Sequence, residues 1–345
     1  MKAMVVSEFR RAEQGPLELV ERPIPRPGPD EILVKVSCCG VCHTDLHTVE
    51  GELPDVRLPR IPGHEIVGTV EKRGVRARRF KTGQRVGAAW LNSACGKCRF
   101  CLNGRENLCE KARFTGYHTD GGYAEYMVVP DKFAYAIPRG FSDEQAAPLM
   151  CAGIIGYRSL RLCGIKPGGK LGLYGFGASA HIAIQVANHW GCRVYVFTRS
   201  EDHKRLAKRL GAAWTGLSRE DPPTKLDAAV IFAPSGSLYL DALRVLDRGG
   251  VAVSAGIFMS PVPEIDYGTF LYHERVMMSA ANATREDGEG LLKVASEIPI
   301  RTTVEVYPLA RANEVLRLLK GGRINGAAVL KVSWLPYAVR DLFVA

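Results

Sequence analysis

The rhythm of apolar positions changes near residue 150. Before it, short β-branched runs such as 31–36 and 66–70 alternate or cluster among glycines and prolines, a pattern that predicts short strands in an irregular β-rich part. From about 153 to 283, apolar runs at 170–174, 193–197, 228–232 and 250–254 are separated by helix-like stretches at 180–190 and 202–210. Strand–helix alternation of this kind predicts an α/β fold with a doubly wound parallel sheet. A strand-like 275–280, a helical stretch, a strand at 303–306, a short helix at 312–320 and a terminal strand at 328–332 follow. Pattern alone lets these extend either half.

The 345 residues, 46% of them hydrophobic, are enough for two cores. No apolar stretch is long enough to span a bilayer and the N-terminus lacks a secretory hydrophobic region, so a cytoplasmic protein without a membrane partner is expected. The net charge of +10 raises the question of nucleic acid. Its basic residues are scattered, and the densest run, Lys72, Arg73, Arg76, Arg78, Arg79 and Lys81, has only Phe80 among it; a solvated surface is the expectation, with no nucleic-acid partner.

Ten cysteines in such a chain point to metal or thiol chemistry, because reducing compartments do not maintain structural disulfides. Cys95, Cys98, Cys101 and Cys109 form a C-x2-C-x2-C-x7-C set in a loop with Gly96 and Gly104. Four thiolates complete a tetrahedral zinc shell with no open position, which makes a structural zinc the expectation; an iron–sulfur cluster opens with similar spacing. Cys42, His64 and the distant Cys151 make a second set. Two thiolates and an imidazole leave a fourth zinc position for water or substrate, the arrangement of a catalytic ion. Cys38 or Cys39, Cys163 and Cys192 are left as small core or surface residues, and His43, His118 and His181 have no evident role.

Gly175-Phe-Gly177-Ala178-Ser179-Ala180 follows a predicted strand and opens a predicted helix. Its small residues let the backbone approach a pyrophosphate at the helix N-terminus, so a nicotinamide dinucleotide is expected there. The end of the next strand reads Thr198-Arg199-Ser200, with Lys204 a helical turn beyond and no carboxylate before Glu201. Hydroxyl and basic groups there suit a 2′-phosphate where a carboxylate would suit the ribose diol, so NADP is favoured over NAD, with Arg199 the principal phosphate partner.

Gly63-His64-Glu65-x2-Gly68, Gly74 and Gly83-Gln84-Arg85-Val86-Gly87 resemble the signature of zinc-dependent alcohol dehydrogenases of the medium-chain dehydrogenase/reductase superfamily. The resemblance runs through Cys42-x-Thr-Asp-x-x-His47, the cysteine knuckle, Asp120-Gly-Gly-Tyr-Ala-Glu125, Cys151-Ala-Gly153 and Ile324-Asn-Gly326. It implies a GroES-like β-rich catalytic domain, 1–152 with 284–345 returning to it, around a Rossmann-like dinucleotide domain at 153–283.

The same resemblance implies two zinc ions per chain. Cys42, His64 and Cys151 would hold the catalytic one, Glu65 would stand beside it, and Asp45 would orient His64. Thr44 and His47 would relay the alcohol's proton before hydride leaves for nicotinamide. Leu46 and Trp90 are expected to line the pocket for a small alcohol, aldehyde or ketone, and the assembly to be a homodimer or homotetramer. The sequence departs from the family pattern at Gln84, Ile155 and Ala327. Two other readings compete: a zinc-ribbon nucleic-acid-binding protein, and a zinc-free quinone or enone reductase of the same fold. Neither explains all the metal-ligand spacings.

Overall fold

The structure is a computed structural model that describes residues 1–332; the last part of the expected C-terminal return, 333–345, lies outside the described residues. Two large sheets organise the chain. The first has seven strands, in the order Val304–Pro308, Ala327–Lys331, Glu31–Val41, Glu65–Arg73, Arg85–Ala88 and Ala134–Ala136, with Tyr126–Pro130 paired beside Glu31–Val41. Its pairings are antiparallel except that of Val304–Pro308 with Ala327–Lys331. Ala328 lies opposite Val41 and Leu330 opposite Cys39, so the C-terminal strand completes a sheet begun 300 residues earlier in sequence, and its apolar face joins Ile32, Val34, Ile66 and Val86 in one buried cluster.

The second sheet has six strands, all parallel, ordered Trp214–Gly216, Arg193–Phe197, Lys170–Tyr174, Leu226–Ile231, Leu246–Ser254 and Val276–Ser279. Two strands run outward from the first one before the order reverses, which is the doubly wound arrangement, and the reversal leaves a crevice at the strands' C-terminal ends. Leu171, Leu173, Val194 and Val196 face one layer, with Tyr174, Tyr195 and Phe197 facing the other. Burial on both faces explains why these strands read as continuous apolar runs. The fold is therefore the expected one, a GroES-like β-rich part with a Rossmann-like parallel sheet.

Single residues decide local details. Gln84 caps its own turn by accepting a hydrogen bond from Lys81 N at 3.1 Å. Thr284 caps the helix Arg285–Glu297 by accepting from Asp287 N, while the Asp287 carboxylate accepts from Thr284 N. Asp287 is almost fully buried and also accepts from Arg158 at 2.7 Å and Arg161 at 2.8 Å, both on the helix Ala152–Leu162. This clamps the helix that begins just after Cys151. Cys38, Cys39, Cys163 and Cys192 are all buried. Among the described residues, no helix is long and apolar enough to cross a membrane.

Candidate active site

Three pieces of chain meet where the two sheets adjoin. The helix His43–Glu50 begins at Cys42, the strand Glu65–Arg73 begins after His64, and a short 3-10 turn, Ala147–Met150, ends at Cys151. One ligand atom from each of Cys42, His64, Glu65 and Cys151 lies within 4.8 Å of all the others. Tertiary structure thus closes a gap of 87 positions between His64 and Cys151.

The backbone at His64 is held open for this. Gly63 has φ +97°, a region L side chains avoid, and a Cβ there would lie 2.4 Å from the Tyr123 ring. Gly40, opposite Glu65 in the sheet, is equally constrained: a Cβ would meet the Glu65 carboxylate at 2.0 Å. The glycine lets a carboxylate lie flat against the sheet beside the thiols.

Asp45 organises the histidine. Its carboxylate accepts from His64 Nδ1 at 2.9 Å, Gly63 N at 3.1 Å, Cys42 N at 3.0 Å and the Tyr123 hydroxyl at 3.1 Å. With Nδ1 engaged, Nε2 is the free nitrogen, and it is buried without a hydrogen-bond partner among the described residues. A buried imidazole nitrogen left unsatisfied beside two thiols fits a soft or borderline cation. The hydrogen bond from Cys151 and the nearby His64 hold the Cys42 thiol well below its ordinary range, whereas Cys42 and burial push Cys151 up. A bound cation would favour both thiolates and displace their protons. Burial and the neighbouring Cys42 raise the Glu65 carboxyl. Tyr123 was not singled out from the sequence, although it sits in the quoted Asp120–Glu125 element.

Thr44 is buried, with Oγ1 3.8 Å from Cys42 Sγ. His47, about one helical turn on, is half-buried, lies 5.8 Å from the Phe258 ring and pairs through Nδ1 with Glu52, a partner that sequence reasoning missed. Trp90 lies 6.2 Å from His64 between ring centroids and stacks on Phe114 at 4.4 Å. Leu46 is 4% exposed and belongs to the apolar cluster of the β-rich part.

The second cysteine set also converges. Cys95, Cys98, Cys101 and Cys109 place their sulfurs within 4.8 Å of one another. Backbone N–H groups of Lys97 and Cys98 point at Cys95 and bring its pKa down to about 6, so a thiolate forms readily. The loop is anchored through Glu106, which accepts from Arg285 N and Nε at 3.0 Å, and through Asn107, which donates to the Ala281 carbonyl at 2.8 Å.

The glycine turn lies at the crevice of the parallel sheet. Gly175 has φ +85° and donates its N–H to Phe197 O at 2.9 Å, which sets the turn directly beside Thr198. Gly177 caps the twelve-residue helix Ala178–His189, and a Cβ on Gly177 would meet nothing within 4 Å. Ala178 and Ser179 form its first turn. Thr198 is buried, Arg199 is exposed at the strand end, and Ser200 caps the helix Glu201–Arg209 by accepting from His203 N. Lys204 is paired with Glu201 at 2.8 Å.

A parallel sheet with a glycine turn at its crevice, next to a Cys–His–Glu–Cys cluster, defines a zinc-binding dehydrogenase. Residues 28–139 match the family model of the alcohol dehydrogenase GroES-like domain, and residues 178–297 match that of the zinc-binding dehydrogenases. The chain is 48% identical over 337 residues to a probable alcohol dehydrogenase, AdhA, of Mycobacterium tuberculosis, covering 96% of this chain and 97% of that one. It is 38% identical over 341 residues to an alcohol dehydrogenase of Geobacillus stearothermophilus, covering 96% and 100%. The solved structure of a cobalt- and zinc-bound thermostable alcohol dehydrogenase from Pyrobaculum aerophilum superposes with a TM-score of 0.87 at 29% identity, covering 96% of this chain and 99% of that one.

The chain belongs to the zinc-type alcohol dehydrogenases of the medium-chain dehydrogenase/reductase superfamily. It is an alcohol oxidoreductase that uses zinc and a nicotinamide cofactor.

Proposed function

We propose that Cys42, His64 and Cys151 hold a catalytic zinc, that Cys95, Cys98, Cys101 and Cys109 hold a structural one, and that the enzyme reversibly oxidises a small alcohol with NADP. The observation that carries this is the orphaned His64 Nε2, buried within ligand distance of two thiols while Asp45 fixes the opposite nitrogen. A bound zinc supplies Lewis acidity that favours the deprotonated alcohol, and the nicotinamide supplies the hydride acceptor.

The chain's own groups do the rest. Asp45 locks the His64 tautomer so that Nε2 presents its lone pair. Glu65 stays beside the cluster as a reserve ligand, kept in place by Gly40. Thr44 Oγ1 takes the alcohol's proton, and His47, backed by Glu52, passes it to solvent. Trp90 and Phe114 wall the site against water on one side.

For the cofactor, Gly175, Gly177, Ala178 and Ser179 receive the pyrophosphate at the helix N-terminus. Thr198, Arg199 and Ser200 face the adenosine ribose, and the exposed Arg199 fork suits a 2′-phosphate. The paired Lys204 contributes charge at longer range.

We infer that residues 1–152 with the chain from 284 onward, and 153–283, form the two domains. The edge strand Val276–Ser279, with Val276, Tyr267 and Tyr272 exposed around it, supports a homo-oligomer, since unpaired sheet edges invite pairing. Free thiols throughout support a reducing, cytoplasmic setting. Scattered surface charge, much of it in ion pairs, supports a role without nucleic acid.

The test is elemental analysis of the purified protein together with alcohol-dependent reduction of NADP and NAD. Two zinc per chain, NADP preferred, and loss of one zinc with activity in Cys42→Ser are expected. Full activity in the variant or in chelator-treated enzyme refutes the metal assignment.

A further inference from the structure

A cavity of about 640 Å³ includes in its lining His118, whose ring lies 5.4 Å from that of Phe114, and its chemistry is unlike that of the aromatic wall. It is lined by Asp55, Arg57, Arg60, Lys111, Arg113 and His118 among others. Four permanent cations therefore face one carboxylate. Asp120, outside the lining, neutralises Arg60 at 2.8 Å. Arg113 reaches only a backbone oxygen, that of His118, at 2.9 Å. Arg57 and Lys111 are exposed, and neither side chain enters an ion pair among the described residues. Burial first, and then the nearby Arg113 and Arg60, hold His118 below the ordinary imidazole range, with Asp55 acting against them.

A run of ring contacts links His118 in the cavity's lining to the cluster. From His64 the centroids step 6.2 Å to Trp90, 4.4 Å to Phe114 and 5.4 Å to His118. Tyr117 stacks on the same group and donates its hydroxyl to Pro54 O, which ties the loop carrying Asp55, Arg57 and Arg60 to the loop carrying Lys111 and Arg113. The cations therefore stand on two loops joined at one point, at the outer end of an apolar, aromatic surface whose inner end is the Cys42–His64–Cys151 cluster.

We propose that this cavity binds the carboxylate of the substrate, and that the enzyme prefers alcohols and aldehydes in which an aromatic or extended apolar spacer separates the reacting carbon from an acid group. The inference rests on the alcohol dehydrogenase reading of the site. Guanidinium groups match a carboxylate in two-point hydrogen bonds, and the spacer lies along Trp90 and Phe114. The surplus of positive charge steers such acids inward, an effect that salt weakens.

The test compares benzyl alcohol, 4-(hydroxymethyl)benzoate, 3-[4-(hydroxymethyl)phenyl]propanoate and the cationic 4-(aminomethyl)benzyl alcohol, using zinc-replete enzyme. Turnover is measured alongside calorimetric binding of the two acids. At low ionic strength, kcat/KM for at least one acid exceeds that for benzyl alcohol about tenfold, mostly through KM, as two charge-assisted contacts allow. The excess collapses in about 1 M salt, where screening reaches about 3 Å.

In Arg57→Gln/Lys111→Gln, the acid-to-neutral ratio falls severalfold, and in Arg57→Glu/Lys111→Glu the cationic alcohol gains over the acids. Failure to oxidise any of the four alcohols speaks against the dehydrogenase reading. Absence of saturable binding of both acids, or binding and ratio unchanged in both double variants, overturns the carboxylate pocket.

Discussion

His64 Nδ1 donates to Asp45 Oδ1 at 2.9 Å, and both side chains are at most 2% exposed. A single buried hydrogen bond thereby chooses which imidazole nitrogen faces the two thiols. Burial disfavours the His64 cation, but Asp45 and Cys42 outweigh it and hold the pKa well above the ordinary imidazole value. Asp45 and Cys42 thus favour a proton on the ring, whereas a bound metal needs the ring neutral and takes over the charge balance.

Replacing Asp45 by Asn removes that charge and allows the amide to present either end to the ring. Zinc affinity and kcat/KM are expected to fall roughly 10- to 100-fold, the usual cost of losing a partner behind a metal-bound histidine. Metal titration with a chromophoric chelator and steady-state kinetics read both numbers. Wild-type zinc affinity in the variant contradicts the orienting role.

Cys101→Ser strips one ligand from the knuckle, which lies at the surface and not at the crevice. The expected result is one zinc lost per chain and a Tm lower by roughly 5–10 °C, from on the order of 2–3 kcal/mol of lost restraint. Calorimetry with metal analysis decides it. Loss of both ions at once would couple the two sites in a way that their separation does not suggest.

Arg199 is exposed at the end of Arg193–Phe197, beside the glycine turn. Arg199→Asp should cut kcat/KM for NADP by about tenfold or more and leave NAD turnover within a few-fold, since a carboxylate repels the 2′-phosphate and accepts from the diol. Equal loss for both cofactors would place Arg199 outside the discriminating contact.

His181, without an evident role in the sequence, is fully buried in the helix of the glycine turn. It faces Gly177 O through Nδ1 at 3.4 Å and accepts from Thr303 N through Nε2 at 3.3 Å, joining the cofactor helix to the C-terminal return. Burial lowers its pKa to about 4. The unfolded chain binds this proton near pH 6.5 and the folded chain does not, so stability falls as pH drops from about 6.5 to about 4, by about 3 kcal/mol in all. Denaturant unfolding of wild type and His181→Gln across that range should show a shallower pH slope in the variant. Parallel slopes would mean that His181 is not the group that titrates.

Much of this site was legible in one dimension. Cysteine spacing announced the knuckle because its four ligands fall within fifteen residues, and local chain stiffness alone brings them together. The parallel sheet was legible because burial on both faces leaves continuous apolar runs, and Gly175, at φ +85°, marks a turn that L side chains avoid. The short strand Trp214–Gly216 and the helix Ala152–Leu162 carried no such signal; their placement depends on neighbours rather than on their own pattern.

Other features belong to the tertiary structure alone. Cys151 meets Cys42 and His64 at the start of a helix that Asp287, far along the chain, clamps through Arg158 and Arg161, and no spacing rule encodes that clamp. Ala327–Lys331 joins the N-terminal sheet by backbone hydrogen bonds, which carry no residue code. Leu46 turned into the core and Glu52 came to His47 through the orientation of one helix and the loop after it. Sequence determined which atoms could bind metal and cofactor, since that is a property of side-chain chemistry; distance and burial, which decide whether they do so together, exist only in the folded chain.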